Sequence, residues 1–451
     1  MFFKRIVIIL VVFTLPFNLS CERSVKKGAS ESLKCELSAE LFDEFISGWV
    51  SYGEISHLIS DNKLTFNLYP NKIYGISQAI SVGEVLVDGE QAHFDFEGKN
   101  SEYLIVNSPS NSLNTVKIFF KTQILEGEGR LAKFEDGYNL AYFYPHPCAV
   151  DERSTPLKYD YTSFGDPFFD IFCDYSVQIT IPSQMALACG FTPVYCDPMG
   201  EKTCYGYQQK MAKTFAFCAS KNYSIVSKKW GNKRVNYYFI NDLQAEERLE
   251  LIIDVLSFLN ERMGSYAYEN FTVCQTVFNA GGMEYPTFCT VNKNLSDSDY
   301  DYALIHETAH QYFPICIDFN QCENPVLDEG LTEFLSMAFL KEYNREEHSK
   351  KLLLTRAGVN AYLKAVESGK VTFKSSSMRA LNEFSGEYEY VCAVYKRGYL
   401  LFEELAQKLG ERDFFNRLNG FYTKFYGKNP TKKDFFKSFS SLKVKAEQIF
   451  S

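Results

Sequence analysis

Between residues 35 and about 220, apolar and polar positions alternate in short runs. Leu64 to Tyr69 (LTFNLY), Gly83 to Val87 (GEVLV), Ala92 to Phe96 (AHFDF) and Val116 to Phe120 (VKIFF) are bounded by Asn, Asp, Gly and Ser. Such runs read as half-buried strands joined by turns. Tyr175 to Ile181 (YSVQITI) is another strand, stopped at Pro182. Regular short strands predict a sandwich or an open curved sheet, and no internal repeat points to a solenoid or propeller.

Around Lys228 to Lys233 the pattern changes. Val235 to Ile240 is a strand, and Gln244 to Met263 carries Leu249, Ile252, Ile253, Val255, Leu256 and Leu259 at helical spacing until Gly264 ends it. Glu269 to Phe278 returns to a strand and leads into Gly281, Gly282, Met283 and Glu284. Paired glycines after a strand let a second backbone approach closely, as an edge receiving an extended peptide would. Helical periodicity then covers Thr332 to Tyr343, Arg345 to Glu367, Tyr395 to Leu409 and Asp413 to Phe425, with Thr431 capping a last short helix. The expectation is a multidomain α+β chain: an N-terminal β-sheet or sandwich domain over 35–224, then a mainly helical domain over 225–451.

Composition is globular, 46% hydrophobic and 23% charged over 451 residues. A formal charge of −9 and the lack of any Lys/Arg-rich run exclude a nucleic-acid partner. At the N-terminus, Lys4 and Arg5 precede an apolar run from Ile6 to Phe17. That run is too short to span a membrane and fits a secretory leader over 1–20. Asn18-Leu19-Ser20-Cys21 resembles a bacterial lipobox, with Asn18 standing where an aliphatic residue is usual. Cys21 is thereby predicted to be lipidated at the head of a flexible tether, 21–34, with cleavage near Ser20 as the alternative. The chain is expected to be exported, as a periplasmic or cell-envelope lipoprotein tethered to a membrane through Cys21. Export makes disulfides possible for the other twelve of the thirteen cysteines. Cys196/Cys204 and Cys316/Cys322 are the closest spaced, and buried free thiols are the alternative.

The chemistry concentrates in Ile305 to Leu335. His306 and His310 lie four apart, with Glu307 beside the first. On a helix the two imidazoles share a face and reach one metal ion, and the carboxylate reaches a water bound to it. Eighteen residues separate His310 from Glu329, and a carboxylate returned by a loop between Pro314 and Pro325 completes the three-ligand set of a catalytic zinc. One Zn²⁺ per chain is expected at His306, His310 and Glu329, with Glu307 as general base. His57, His93 and His146 are scattered and read as ordinary histidines.

Gly-Gly-Met-Glu-Tyr-Pro (281–286), His-Glu-Thr-Ala-His (306–310), Asp-Glu-Gly (328–330) and the segment Tyr390 to Gly398, with Tyr390 and Tyr395 five apart, fall in one order. Together they resemble the aminopeptidase N family of zinc aminopeptidases, gluzincins related to leukotriene hydrolase. The resemblance covers about residues 225–445 and extends weakly over 35–220. It implies a thermolysin-like peptidase domain, Tyr395 as a hydrogen-bond donor to the developing oxyanion, and peptide substrates with a free N-terminus. Gly281, Gly282 and Met283 would meet the substrate, and Glu284 would pair with its α-ammonium. Tyr390 could line the same pocket, and Glu333 could orient a ligand histidine. The residue of the β domain that helps hold the amine in this family has no evident counterpart. A zinc endopeptidase or other hydrolase on the same scaffold, or a catalytically silent surface-binding lipoprotein, stands as the alternative.

Overall fold

The computed structural model describes residues 32–450 apart from 109–112, 136, 152–154, 370 and 373–375. The leader at 1–20, Cys21 and the tether up to residue 31 lie outside the described residues.

The first half of the chain is built on an eight-stranded sheet. At its centre Leu33–Leu41 pairs in parallel with Cys173–Pro182 and antiparallel with Phe45–Gly53. Thr115–Gln123 and Ile80–Val87 continue one side, and Lys202–Ala212 and Thr192–Met199 the other. Along Leu33–Leu41 every second residue is buried, which is what a strand with one face on a core requires. Two four-stranded sheets lie in the same β half, one containing Lys63–Asn67 and Tyr103–Asn107, the other Gly137–Leu140 and Phe217–Ser220. Side chains from all three sheets form one apolar core, including Val50, Phe66, Ile118, Tyr144, Ile179 and Phe217.

The predicted strand at Leu64 to Tyr69 stops at Asn67, and a short helix occupies Tyr69–Tyr74. Pro70 explains the difference: a fixed φ and a missing N–H suit a first helical turn and end a sheet ladder. Ala92 to Phe96 shifts to Phe94–Glu97. The expected local disulfides do not form: all twelve described cysteines are free. In the antiparallel ladder Cys196 faces Tyr205 and Cys204 faces Asp197, so the two thiols emerge on opposite faces of the sheet. Cys316 Sγ donates to Gln311 O at 3.1 Å, whereas Cys322 Sγ points to Asp166 O at 3.9 Å.

From Ser224 onward a five-stranded sheet runs in the order Ser224–Trp230, Lys233–Phe239, Asn270–Thr276, Phe288–Asn292, Gly282–Tyr285. Its three inner strands are parallel, and Gly282–Tyr285 is an antiparallel edge. Against the sheet pack Ala245–Met263 and Asp297–Ala309, and beyond them the helices Leu331–Tyr343, Arg345–Glu367, Arg397–Leu409 and Glu411–Phe425. No described helix is long and apolar enough to cross a membrane. The architecture is an N-terminal β domain followed by a mainly helical domain, with the edge strand Gly282–Tyr285 between the sheet and the helices.

Candidate active site

Asp297–Ala309 is a helix because Ser296 accepts the Asp299 N–H at its start and acidic residues occupy its first turn, both favourable there. His306 and Glu307 sit in its last turn and His310 caps it. Glu329 comes from a π-helical turn, Val326–Gly330, that runs directly into Leu331–Tyr343. His306 Nε2 lies 3.1 Å from Glu329 Oε2 and 3.1 Å from His310 Nε2, and His310 Nε2 lies 3.2 Å from Glu329 Oε2. Ligand atoms bound tetrahedrally at ~2.0–2.1 Å from a zinc ion stand about 3.3 Å apart, so this donor set fits Zn²⁺.

Each histidine is backed from behind. His306 Nδ1 lies 3.2 Å from Glu333 Oε2, and Glu333 Oε1 receives the Tyr302 hydroxyl at 2.6 Å. His310 Nδ1 lies 3.0 Å from Phe313 O and 3.2 Å from Asp328 Oδ1. These contacts commit each Nδ1 to the protein and aim each Nε2 at the common point, as outer partners of zinc-binding histidines do. Sequence spacing suggests Glu333 for this role. It does not suggest Tyr302 or Asp328, because only the folded contacts show what an Nδ1 meets.

Burial opposes charge on His306, yet its bonds to Glu329 and Glu333 outweigh that and carry it up to about 10. Burial likewise works against ionising Glu329, but His310 and His306 hold its carboxyl well below the ordinary range. Glu307 is pushed up to about 7, chiefly by burial, with His306 and His310 pulling the other way.

The other predicted residues gather around this cluster. Carboxylate oxygens of Glu284 and Glu307 and a ring nitrogen of His310 lie within 4.8 Å of one another. Gly282 needs its missing side chain: a Cβ there would stand 2.6 Å from Glu307 Cγ and 2.6 Å from Thr290 O. Gly281 has no such constraint, since its Cβ would meet only Ala303 Cβ at 3.9 Å. Met283 pairs across the edge with Thr290 and Glu284 with Cys289, so their side chains point to opposite faces. Tyr395 lies in a second π-helical turn, Val391–Lys396, with its ring stacked 5.8 Å from His306, and the nearby Glu329 adds to burial in raising its pKa. Tyr390 is 2% exposed and packs edge-on against Tyr395 and Phe384. Gln311, which sequence reasoning passes over, ties the ligand helix to the edge strand. Its Nε2 donates to Tyr285 O at 3.0 Å, and its Oε1 accepts the Thr287 N–H at 3.0 Å.

Solved structures share this fold. An M1 zinc metallopeptidase from Deinococcus radiodurans aligns with TM-score 0.63 at 16% identity, over 93% of this chain and 92% of that one. A Deinococcus radiodurans M1 zinc metallopeptidase mutant bound to a Tyr-Ser-Ala substrate aligns with TM-score 0.63 at 14% identity, over 93% of each chain. Native leukotriene A4 hydrolase from Saccharomyces cerevisiae aligns with TM-score 0.64 at 16% identity, over 93% of this chain and 66% of that one. No curated protein matches the chain. Residues 247–451 match the Peptidase family M1 domain, the stretch that carries every converging donor. Over residues 247–451 the chain is therefore similar to the Peptidase family M1 domain, and over most of its length it shares the fold of these zinc metallopeptidases.

Proposed function

We propose that the protein is an aminopeptidase that removes the N-terminal residue of peptides. The observation that carries this reading is Glu284. It is 7% exposed and forms no ion pair with any Lys or Arg among the described residues, while burial pushes its carboxyl well up. A buried carboxylate needs a cationic partner. On an edge strand beside a zinc site, the α-ammonium of an extended peptide supplies one, and an internal peptide bond does not. The Tyr-Ser-Ala peptide held by the Deinococcus radiodurans relative is consistent with a short free-amine substrate.

Zn²⁺ held by His306, His310 and Glu329 supplies Lewis-acid polarisation and lowers the pKa of water. The chain's own residues do the rest. Glu307 takes the proton of the attacking water and returns it to the departing amine. Tyr395 donates its hydroxyl to the oxygen on which negative charge develops. Glu284 fixes the amine, so that only the first peptide bond lies level with Glu307. Glu333 holds the His306 ring through Nδ1, which keeps Nε2 turned towards His310 and Glu329.

The test uses aminoacyl arylamides with free and with blocked amines. Free-amine substrates should be cleaved, activity should vanish with chelator and in Glu307→Gln, and Glu284→Ala should lose the preference for a free amine. Efficient cleavage of blocked substrates by the unaltered protein would establish an endopeptidase instead.

A further inference from the structure

Glu284 stands on a hairpin whose strands, Gly282–Tyr285 and Phe288–Asn292, are joined by Pro286 and Thr287 alone. Thr287 has a φ of 62°. Proline followed by a residue at positive φ is the pattern of a type II turn, which ordinarily has glycine or asparagine in the second place. A β-branched residue there is strained. Such a backbone persists only where its surroundings over-determine it.

The surroundings of Thr287 do so from three sides. Gln311, next to the ligand His310, accepts the Thr287 N–H on Oε1 at 3.0 Å. The Thr272 N–H, from the neighbouring strand, donates to the Thr287 carbonyl at 2.9 Å. The third side belongs to the β domain. A Cβ on Gly190 would stand 1.8 Å from Thr287 O and 2.2 Å from its carbonyl carbon, so the turn rests on bare backbone and no side chain fits between. The rings of Tyr285 and Phe288, on either side of the turn, are buried in a core shared with Tyr142 and Phe168 of the β domain. The approach to the hairpin is held from the same domain: Asn139 Nδ2 donates to Val277 O at 2.9 Å, and Asn139 Oδ1 accepts the Thr276 hydroxyl.

We propose that Gly190 and Thr287 are positioning residues for the exopeptidase reaction. The β domain holds the turn through Gly190, and the turn holds Glu284 at the distance from Glu307 and the zinc ligands that admits only a peptide's first bond. The inference rests on Glu284 binding the α-ammonium. Neither residue needs to touch substrate, because both act through the carboxylate three residues before Thr287. A small displacement of such an anchor is enough to misplace the scissile bond.

The experiment measures kcat and KM on free-amine and N-acetylated aminoacyl arylamides for the unaltered protein, Gly190→Ala and Thr287→Gly, with zinc content and thermal unfolding followed in each. Gly190→Ala forces the turn off its support. KM for free-amine substrates is expected to rise with kcat less affected, and the free-to-acetylated ratio of kcat/KM to fall by about 10- to 100-fold at unchanged zinc content. Thr287→Gly accepts the positive φ without strain but frees the turn to shift, so the same change is expected in smaller measure. A merely structural role lowers the active fraction, and hence kcat, while KM and the ratio stay as they were. That result in both variants overturns the inference and leaves the aminopeptidase reading intact. Should Gly190→Ala fail to fold, Thr287→Gly decides alone. Cleavage of acetylated substrates as readily as free ones by the unaltered protein overturns both.

Discussion

Tyr390 and Tyr395 stand side by side, and their surroundings separate their roles. Tyr390 is enclosed by Phe164, Phe384 and Tyr395, as a packed core ring is. Tyr395 instead lies over His306 and near Glu329, beside the metal-ligand cluster where an oxyanion would form. Tyr395→Phe is expected to lower kcat by about 10²–10³ with little change in KM, and steady-state kinetics on a free-amine arylamide checks it. Gly282 sets a different limit at the same scale. Its Cβ would collide with both Glu307 and the Thr290 carbonyl, so Gly282→Ala should displace the base and cut kcat, whereas Gly281→Ala should be tolerated in folding. The His-Glu-Thr-Ala-His letters were legible because spacing on a helix dictates the shared face. The need for glycine at 282 rather than 281 was not, because it arises from a helix that packs across the strand.

At the scale of elements, two π-helical turns bring Glu329 and Tyr395 together. They meet through glycine: a Cβ on Gly330 would stand 3.0 Å from Val394 O of the second turn, and one on Gly398, in the helix just after that turn, would stand 3.0 Å from Gly330 Cα. π turns widen a helix locally and often mark functional sites, and here the bare backbones allow the two widened turns to touch. Gly398→Ala should push them apart, lowering activity more than thermal stability. Equal losses in both would show that the contact serves folding alone. The sequence pattern placed a helix at Tyr395 to Leu409 but could not reveal the π turn at Val391–Lys396, since apolar periodicity does not register one extra residue per turn.

The start of the ligand helix is fixed by Arg248, which reaches Asp242 and Asp297 at 2.7 Å and Asp301 at 3.1 Å. Arg248→Met removes the cation that Asp242 meets, leaving it the Tyr237 hydroxyl and the Gln244 N–H, and should cost about 1–3 kcal/mol, measured by urea unfolding near neutral pH. Burial opposes ionising Asp242, but its bonds to Tyr237 and Arg248 outweigh that and lower its pKa in the folded chain. The unfolded chain therefore binds this proton at a higher pH than the folded one. The stability that the pair contributes is present above about pH 4 and is lost as pH falls through the folded value. The gap between the unaltered protein and Arg248→Met should accordingly narrow below about pH 4.

Across the whole molecule, the class of the β domain was readable from period-two runs, but its assembly was not. Leu33–Leu41 and Cys173–Pro182 are neighbours in parallel, a pairing across a long stretch of sequence that is settled by tertiary packing rather than by either strand. The same register decides the cysteines. Among the twelve described, Cys196 alone is exposed, and burial pushes thiols such as Cys148, Cys189 and Cys316 up to about 12, which suppresses the reactive thiolate. A maleimide applied to the native protein should thus label Cys196 among these twelve and leave the others untouched. Complete unfolding without reductant should expose all twelve, whereas a Cys196–Cys204 bridge would block native labelling until reductant is added. The intact mass after unfolding carries one further reading. Of thirteen cysteines in the chain, Cys21 is the one proposed to carry lipid, so protein isolated from a membrane fraction should accept twelve labels. A thirteenth label on Cys21 would remove the lipid anchor and leave the zinc site's chemistry unaffected.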